Sequence, residues 1–210
     1  MCHSLASAIF TTNTDTWYYT SNSNYSDGIV IDVTNSSNNA AYLRDIYASH
    51  YWYKDANITA TANDVVEKIS NFFYREYTLI LTGEIDSTTI ENIKMAMKNN
   101  PSARINLDLT ETEGLLEIAD SAFSYCVNLI SIIIPNSVTS ICNSAFLVCP
   151  NLVSVTIGSG VISVGDNAFN SCDSLTTVNY KGTQEQWEQI SIGSNNGNLI
   201  NATINYNYSE

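Results

Sequence analysis

From Leu115 onward the apolar positions of this chain follow a count of 23. Three segments, Leu115–Ser137, Val138–Gly160 and Val161–Thr183, align without an insertion. Four columns are identical: Ala122, Ala145 and Ala168; Phe123, Phe146 and Phe169; Cys126, Cys149 and Cys172; Leu129, Leu152 and Leu175. Ile118, Ile141 and Val164 stay aliphatic, as do Ile132, Val155 and Val178. A constant period of roughly 20–29 residues is the signature of a stacked leucine-rich repeat. One unit cannot bury its apolar edge alone, so like side chains must stack on like: Phe on Phe, Leu on Leu, Cys on Cys.

Each unit reads locally as well. "NLISIII", "NLVSVTI" and "SLTTVNY" alternate around β-branched residues and predict one short strand per unit. Leu129, Ile132 and Ile134 then face inward, Ser131 and Ile133 outward. Before each strand, Asp120, Asn143 and Asp166 read as caps of a short helical or 3₁₀ turn in the same coil. "PNS", "GSG" and "KGT" after the strands are turn chemistry.

Both ends have candidate covers. "TLILTGE" (Thr78–Glu84) predicts a strand, and a helix follows with a Thr88/Glu91 capping box, an Ile90, Ile93, Met97 stripe and a stop at Pro101. "RINLDLT" (Arg104–Thr110) is the next strand, and Leu109 lies 23 residues before Ile132, which predicts that these two are in register. Downstream, Thr183 and Gln186 form a capping box around Trp187 and Ile190, and "ATINYNY" is a last strand. Trp187 is placed to plug the open end of the core. An earlier helix has Asp64 and Glu67 to cap it and Val66, Ile69 and Phe73 on one face. Residues 1–60 form a less legible extension, with a strand expected in "DGIVIDV" and a helix in "NNAAYLRDIYASHY". The chain therefore divides into that extension, a helix and β–α–β capping unit over 61–114, three repeats over 115–183, and a C-terminal cap over 184–210. The fold class is α/β: a short leucine-rich-repeat solenoid with a parallel sheet, short helical turns and helical caps.

Charge narrows the partners. Eight Lys and Arg stand against 21 Asp and Glu, a net charge of −13, so nucleic acid and anionic membrane meet long-range repulsion. No apolar run approaches the roughly 20 residues of a membrane span. The start "MCHSLASAIFTTNTD" lacks the basic region of a signal peptide, and Cys2 reads as an ordinary second residue rather than the remnant of a lipoprotein cleavage site.

The repeated cysteines are the first place to look for chemistry. Zinc takes four convergent ligands, commonly in close pairs, whereas these thiols lie 23 apart in a line, with His3 and His50 far outside it. A nucleophile needs a base, and the repeats contain no histidine. A disulfide stays geometrically open, since neighbouring strands lie about 4.7–4.9 Å apart and a disulfide spans Cα separations of about 4.4–6.8 Å. A position repeated once per coil behind a Phe otherwise packs as a small buried apolar group. Cys142 is an extra thiol where the other repeats carry Ala119 and Gly165. The Asp120, Asn143, Asp166 column is too sparse for calcium, which takes about six to eight oxygens. Gly158–Gly160 lacks the rest of a phosphate loop. The His50, Tyr51, Trp52, Tyr53 cluster is the remaining place for an enzyme, although aromatic clusters more often pack or contact carbohydrate. No cofactor is expected.

The outward strand positions are the candidate binding surface: Asp108, Ser131, Ile133, Ser154, Thr156, Thr177 and Asn179. The stretch "AFSYCVNLISIIIPNSVTSICNSAFLVCPNLVSVTIGSGVISVGDNAF" resembles BspA-like leucine-rich repeats, close to I-G-x-x-A-F-x-x-C-x-x-L-x-x-I-x-I-P. "YKGTQEQWEQISIGSNNGNL" is similar to the closing segment of such proteins, and the resemblance covers about residues 78–208. It implies a bacterial cell-surface or secreted protein without catalytic residues, in some members an adhesin for host extracellular matrix such as fibronectin or fibrinogen. The expectation is a non-enzymatic module that binds a protein partner, with an intracellular scaffold as the alternative.

Overall fold

A computed structural model of the chain describes residues 17–20, 29–31, 51–54, 57–70 and 76–209. The chain forms two units, Met1–Ala56 and Asn57–Glu210. In the first, β1 (Trp17–Thr20) pairs antiparallel with β2 (Ile29–Ile31) on one side and β3 (Tyr51–Lys54) on the other. β2 lies within the strand expected in "DGIVIDV". The expected helix in "NNAAYLRDIYASHY" lies outside the described residues, except Tyr51, which is on β3.

The second unit is the solenoid. Its main sheet is parallel and seven strands wide, in the order β14 (Thr203–Asn205), β12 (Thr177–Tyr180), β10 (Ser154–Ile157), β8 (Leu129–Ile134), β6 (Arg104–Glu113), β5 (Glu76–Glu84), β4 (Asn57–Ala60). Within the repeats the expected 23-residue register holds: Ile132 pairs with Val155, and Val155 with Val178. The lead-in departs from it. Leu107, not Leu109, lies beside Ile132, and the ladder slips between Ile105 and Asn106. Ile105 lies beside Leu129 and Asn106 beside Ser131, so the slip itself leaves one extra residue, Ile130, on β8. The total offset from the repeat is two residues, and side chains alternate with period two, so Leu107 faces inward as Leu109 would.

A second parallel sheet closes the opposite side of the coils. Its order is β13 (Ser191–Ile192), β11 (Ser163–Val164), β9 (Ser140–Ile141), β7 (Glu117–Ile118). Ile118, Ile141 and Val164 turn into the core from it. Between the sheets the Phe rings stack at 5.6 Å (Phe123 to Phe146) and 5.0 Å (Phe146 to Phe169). Gly160 marks a turn where two coils approach closely: a Cβ there would run into the Asn136 carbonyl.

The helical turn expected in each coil is present as single i→i−3 bonds, such as Ala122 N–H to the Ala119 carbonyl and Ser124 N–H to the Ser121 carbonyl. Ser121, Ser144 and Asn167, and four residues later Tyr125, Val148 and Ser171, adopt φ between +56° and +63°, which stops the turn from winding further. The segment instead bonds outward: the N–H groups of Ser121, Phe123 and Tyr125 donate to the carbonyls of Asn143, Ala145 and Leu147 one coil on.

The capping expectations divide. Thr183 and Gln186 form the expected box at α3 (Gln184–Trp187), and Trp187 packs edge-on against Tyr180 at 5.3 Å. The helix after β5, α2 (Ser87–Asn99), is capped by Asp86, which accepts from Thr89 N–H at 2.7 Å, rather than by Thr88 and Glu91. Glu91 bonds Lys94 instead. In the earlier helix, α1 (Val65–Ser70), Val65 and Ile69 are the buried pair and Val66 is exposed. Asp64 accepts from Thr61 N–H at its start. The last short helix, α4 (Gly197–Ile200), buries Leu199.

Candidate functional site

The seven candidate residues lie on the outward face of the main sheet, in two rows that run across the strands. One row is Asn106, Ser131, Ser154, Thr177, Thr203, and the other Asp108, Ile133, Thr156, Asn179, Asn205. Both rows continue onto β5, through Thr78 beside Asn106 and Ile80 beside Asp108. Sequence reading stopped at Asp108 and passed over Thr78, Ile80, Asn106, Thr203 and Asn205. The alternation in "TLILTGE" and "ATINYNY" carried the signal, since both were legible as strands.

The polar side chains of this face bond to one another along the stack. Ser131 Oγ donates to Asn106 Oδ1 at 2.7 Å, and Asn106 Nδ2 donates to Glu76 Oε1 at 2.9 Å. Asn205 Nδ2 donates to Asn179 Oδ1 at 2.8 Å. Asp108 accepts from the N–H (2.8 Å) and hydroxyl (2.6 Å) of Thr110. Such links fix these side chains relative to one another. Thr156 differs from expectation. Its register is outward, yet it is only 6% exposed, flanked by Ile133 and Asn179 in the neighbouring strands. Ile80 and Ile133 flank Asp108 as partly exposed apolar positions.

The four described cysteines are all free thiols. Cys126, Cys149 and Cys172 are free and buried; Cys142 is free and half-buried. Cys149 donates its S–H to the Phe123 carbonyl at 3.2 Å, and Cys172 to the Phe146 carbonyl at 3.1 Å. Burial pushes the Cys126 thiol up to about 12. The hydrogen bond with Cys172, and then burial, push Cys149 up as well. The same hydrogen bond with Cys149 shifts the Cys172 thiol down. Cys126 and Cys149, held protonated, are poor nucleophiles.

The Asp120, Asn143, Asp166 column has a different role from the expected one. Asp120 Oδ1 accepts from Asn143 N–H at 2.8 Å, Asn143 Oδ1 from Asp166 N–H at 2.8 Å, and Asp166 Oδ1 from Ser194 N–H at 2.6 Å. These side chains link successive coils instead of capping turns within one. Among the described residues no group of His, Cys, Asp and Glu is arranged to hold a metal ion. None of the described helices is long and apolar enough to cross a membrane.

A parallel solenoid with one Phe, one Cys and one outward strand per coil is a leucine-rich-repeat module. The chain belongs to the BspA type leucine rich repeat region family, whose model matches residues 45–176 and 116–210, in six copies. That match reaches further upstream than the resemblance read from residue 78. Among solved structures, the chain is similar to a leucine rich cell surface protein from Faecalibacterium prausnitzii A2-165, at 21% identity and a TM-score of 0.42 over 65% of this chain. It spans 35% of that protein's chain. No curated protein matches.

Proposed function

We propose that this chain is a non-enzymatic protein-binding module of a surface-displayed or secreted protein. Its partner docks on the outward face of the seven-stranded sheet. The observation that carries the reading is the face itself: two rows of hydroxyl and amide side chains, locked by mutual hydrogen bonds, with Ile80 and Ile133 beside Asp108. Seven strands at about 4.7–4.9 Å spacing give a platform about 28 Å across. Flat, repeated faces of this kind are what solenoids offer to partners. Membership of the BspA-type family supports a surface location, and burial of the three column thiols supports a role without catalysis.

The test is a titration of the purified chain over immobilised fibronectin and fibrinogen. Saturable binding is expected, weakened about tenfold by Ile133→Asp combined with Asn179→Arg. Thr156 is left alone because its burial would confound binding with folding. Absence of saturable binding, or unchanged binding by the double variant with an unaltered circular dichroism spectrum, counts against this face. Fractionation of the source cells tests location: a wholly cytoplasmic pool removes the surface role and favours a scaffold.

A further inference from the structure

The second sheet has an open end. β7 pairs with β9, and among the described residues no strand lies along its other edge. In this sheet each coil donates N–H groups to the coil before it: Thr139 N–H to the Leu116 carbonyl and Cys142 N–H to the Ile118 carbonyl. Twenty-three residues earlier, the equivalent donors are Leu116 N–H and Ala119 N–H. The preceding coil supplies α2 here instead of a strand, so these two donors face outward from the stack.

They face a groove of about 560 Å³ between the start of α2 and the whole run Leu115–Asp120. Its floor is apolar, from Ile85, Ile90, Leu115 and Ile118, and Leu116 beside it is 64% exposed. Its rim is acidic: Asp86, Glu91, Glu117 and Asp120 line it, with no Lys, Arg or His among the lining residues. The Thr89 hydroxyl and N–H hold the Asp86 carboxyl below its usual range. Unlike the main face, the groove combines outward-facing backbone donors, an apolar floor and a net acidic rim, in which Glu91 is shared with Lys94 at 3.3 Å.

We propose that this groove binds an extended peptide segment in which aliphatic and basic side chains alternate, added as a strand to the free edge of β7. Its carbonyls accept from Leu116 and Ala119. Its aliphatic side chains cover Ile85, Ile90 and Leu116, while its Lys or Arg side chains meet the four carboxylates. Strand addition of this kind takes affinity from main-chain hydrogen bonds and specificity from alternate side chains. The site lies on the opposite sheet from the face proposed above, so either can fail without the other.

The experiment uses the full chain and a fluorescent peptide of about nine residues alternating Lys and Val, read by anisotropy. Saturable binding is expected, weaker in high salt. The same peptide with Glu in place of Lys should bind at least about tenfold more weakly. Glu91→Lys with Glu117→Lys, two exposed positions, should weaken the Lys–Val peptide about tenfold, while Ile133→Asp leaves it unchanged. Hydrogen exchange at saturating peptide should slow the Leu116 and Ala119 amides. Equal binding of the acidic peptide, indifference to the charge reversals in a folded protein, or binding without protection of those two amides would each overturn the proposal.

Discussion

The cysteine column shows how one residue type serves a stack. Each thiol fills a small apolar space behind a Phe, as the period predicts, and Cys149 and Cys172 also donate to the Phe carbonyl of the preceding coil. The filler role was legible from spacing alone. The hydrogen bond was not, because it joins residues 26 apart, a distance that differs from the repeat and depends on how the turn folds. Burial has a consequence for pH. Cys126 titrates at about 12 folded against an ordinary 9.0, so its contribution is complete below pH 9.0. As pH rises from there, the unfolded chain releases the proton while the folded chain retains it, and stability falls toward pH 12. Urea denaturation at pH 8.5 and 11 should show a loss on the order of 1 kcal/mol or more, part of which disappears in Cys126→Ala. A stability independent of pH over that range would contradict the buried, protonated thiol.

At the scale of the element, the segment before each main strand is the informative one. It has the composition of a helix start, and Asp120, Asn143 and Asp166 have the chemistry of N-caps. Two left-handed residues per coil redirect its N–H groups to the next coil, and the Asx side chains follow them. Local propensity favoured a capped turn. Stacking overrode it, because an N–H bonded between coils is satisfied and also holds the array together. The left-handed positions carry Ser, Tyr and Asn, and in one case Val148 at φ +57°. A β-branched residue is poorly suited to that region, whereas Asn tolerates it. Val148→Asn keeps the N–H that donates to Asn170 and relieves the strain. Its thermal midpoint should rise, with a gain of about 1 kcal/mol. A clear drop would mean that the packing of the Val148 side chain outweighs its backbone cost.

For the whole molecule, the ends matter as much as the repeats, because the last repeat is closed by a segment that does not repeat. Trp187 covers the apolar part of that end, as its position after the last repeat predicts. Asn196 covers the polar part. It is 2% exposed, accepts from Phe169 N–H at 3.0 Å, and donates to the carbonyls of Gly165 and Gly193, each at 2.9 Å. Its side chain thus accepts the Phe169 N–H where the repeats use the carbonyls of Ala145 and Ala168. Nothing in "SNNGN" separates Asn196 from its neighbours, so its role was not legible. Asn196→Ala should cost about 1–3 kcal/mol in urea denaturation, since it strands a buried N–H. Hydrogen exchange should quicken first in the last repeat, around Phe169, and least around Phe123. Uniform loss across the array would show that the end is not a separate closure.

The sequence by itself determined the period, and with it the strands, the inward and outward faces, the Phe, Cys and Leu columns and the family. These follow from alternation and from the need of each unit to bury the same edge. The tertiary structure decided what depends on neighbouring coils: the second sheet, the two-residue offset at β6, the inter-coil role of the Asx column, the burial of Thr156 and the open edge of β7. Each of these is set by which backbone group lies opposite another across a coil boundary. A residue's own type constrains that only loosely, whereas its place in the stack fixes it.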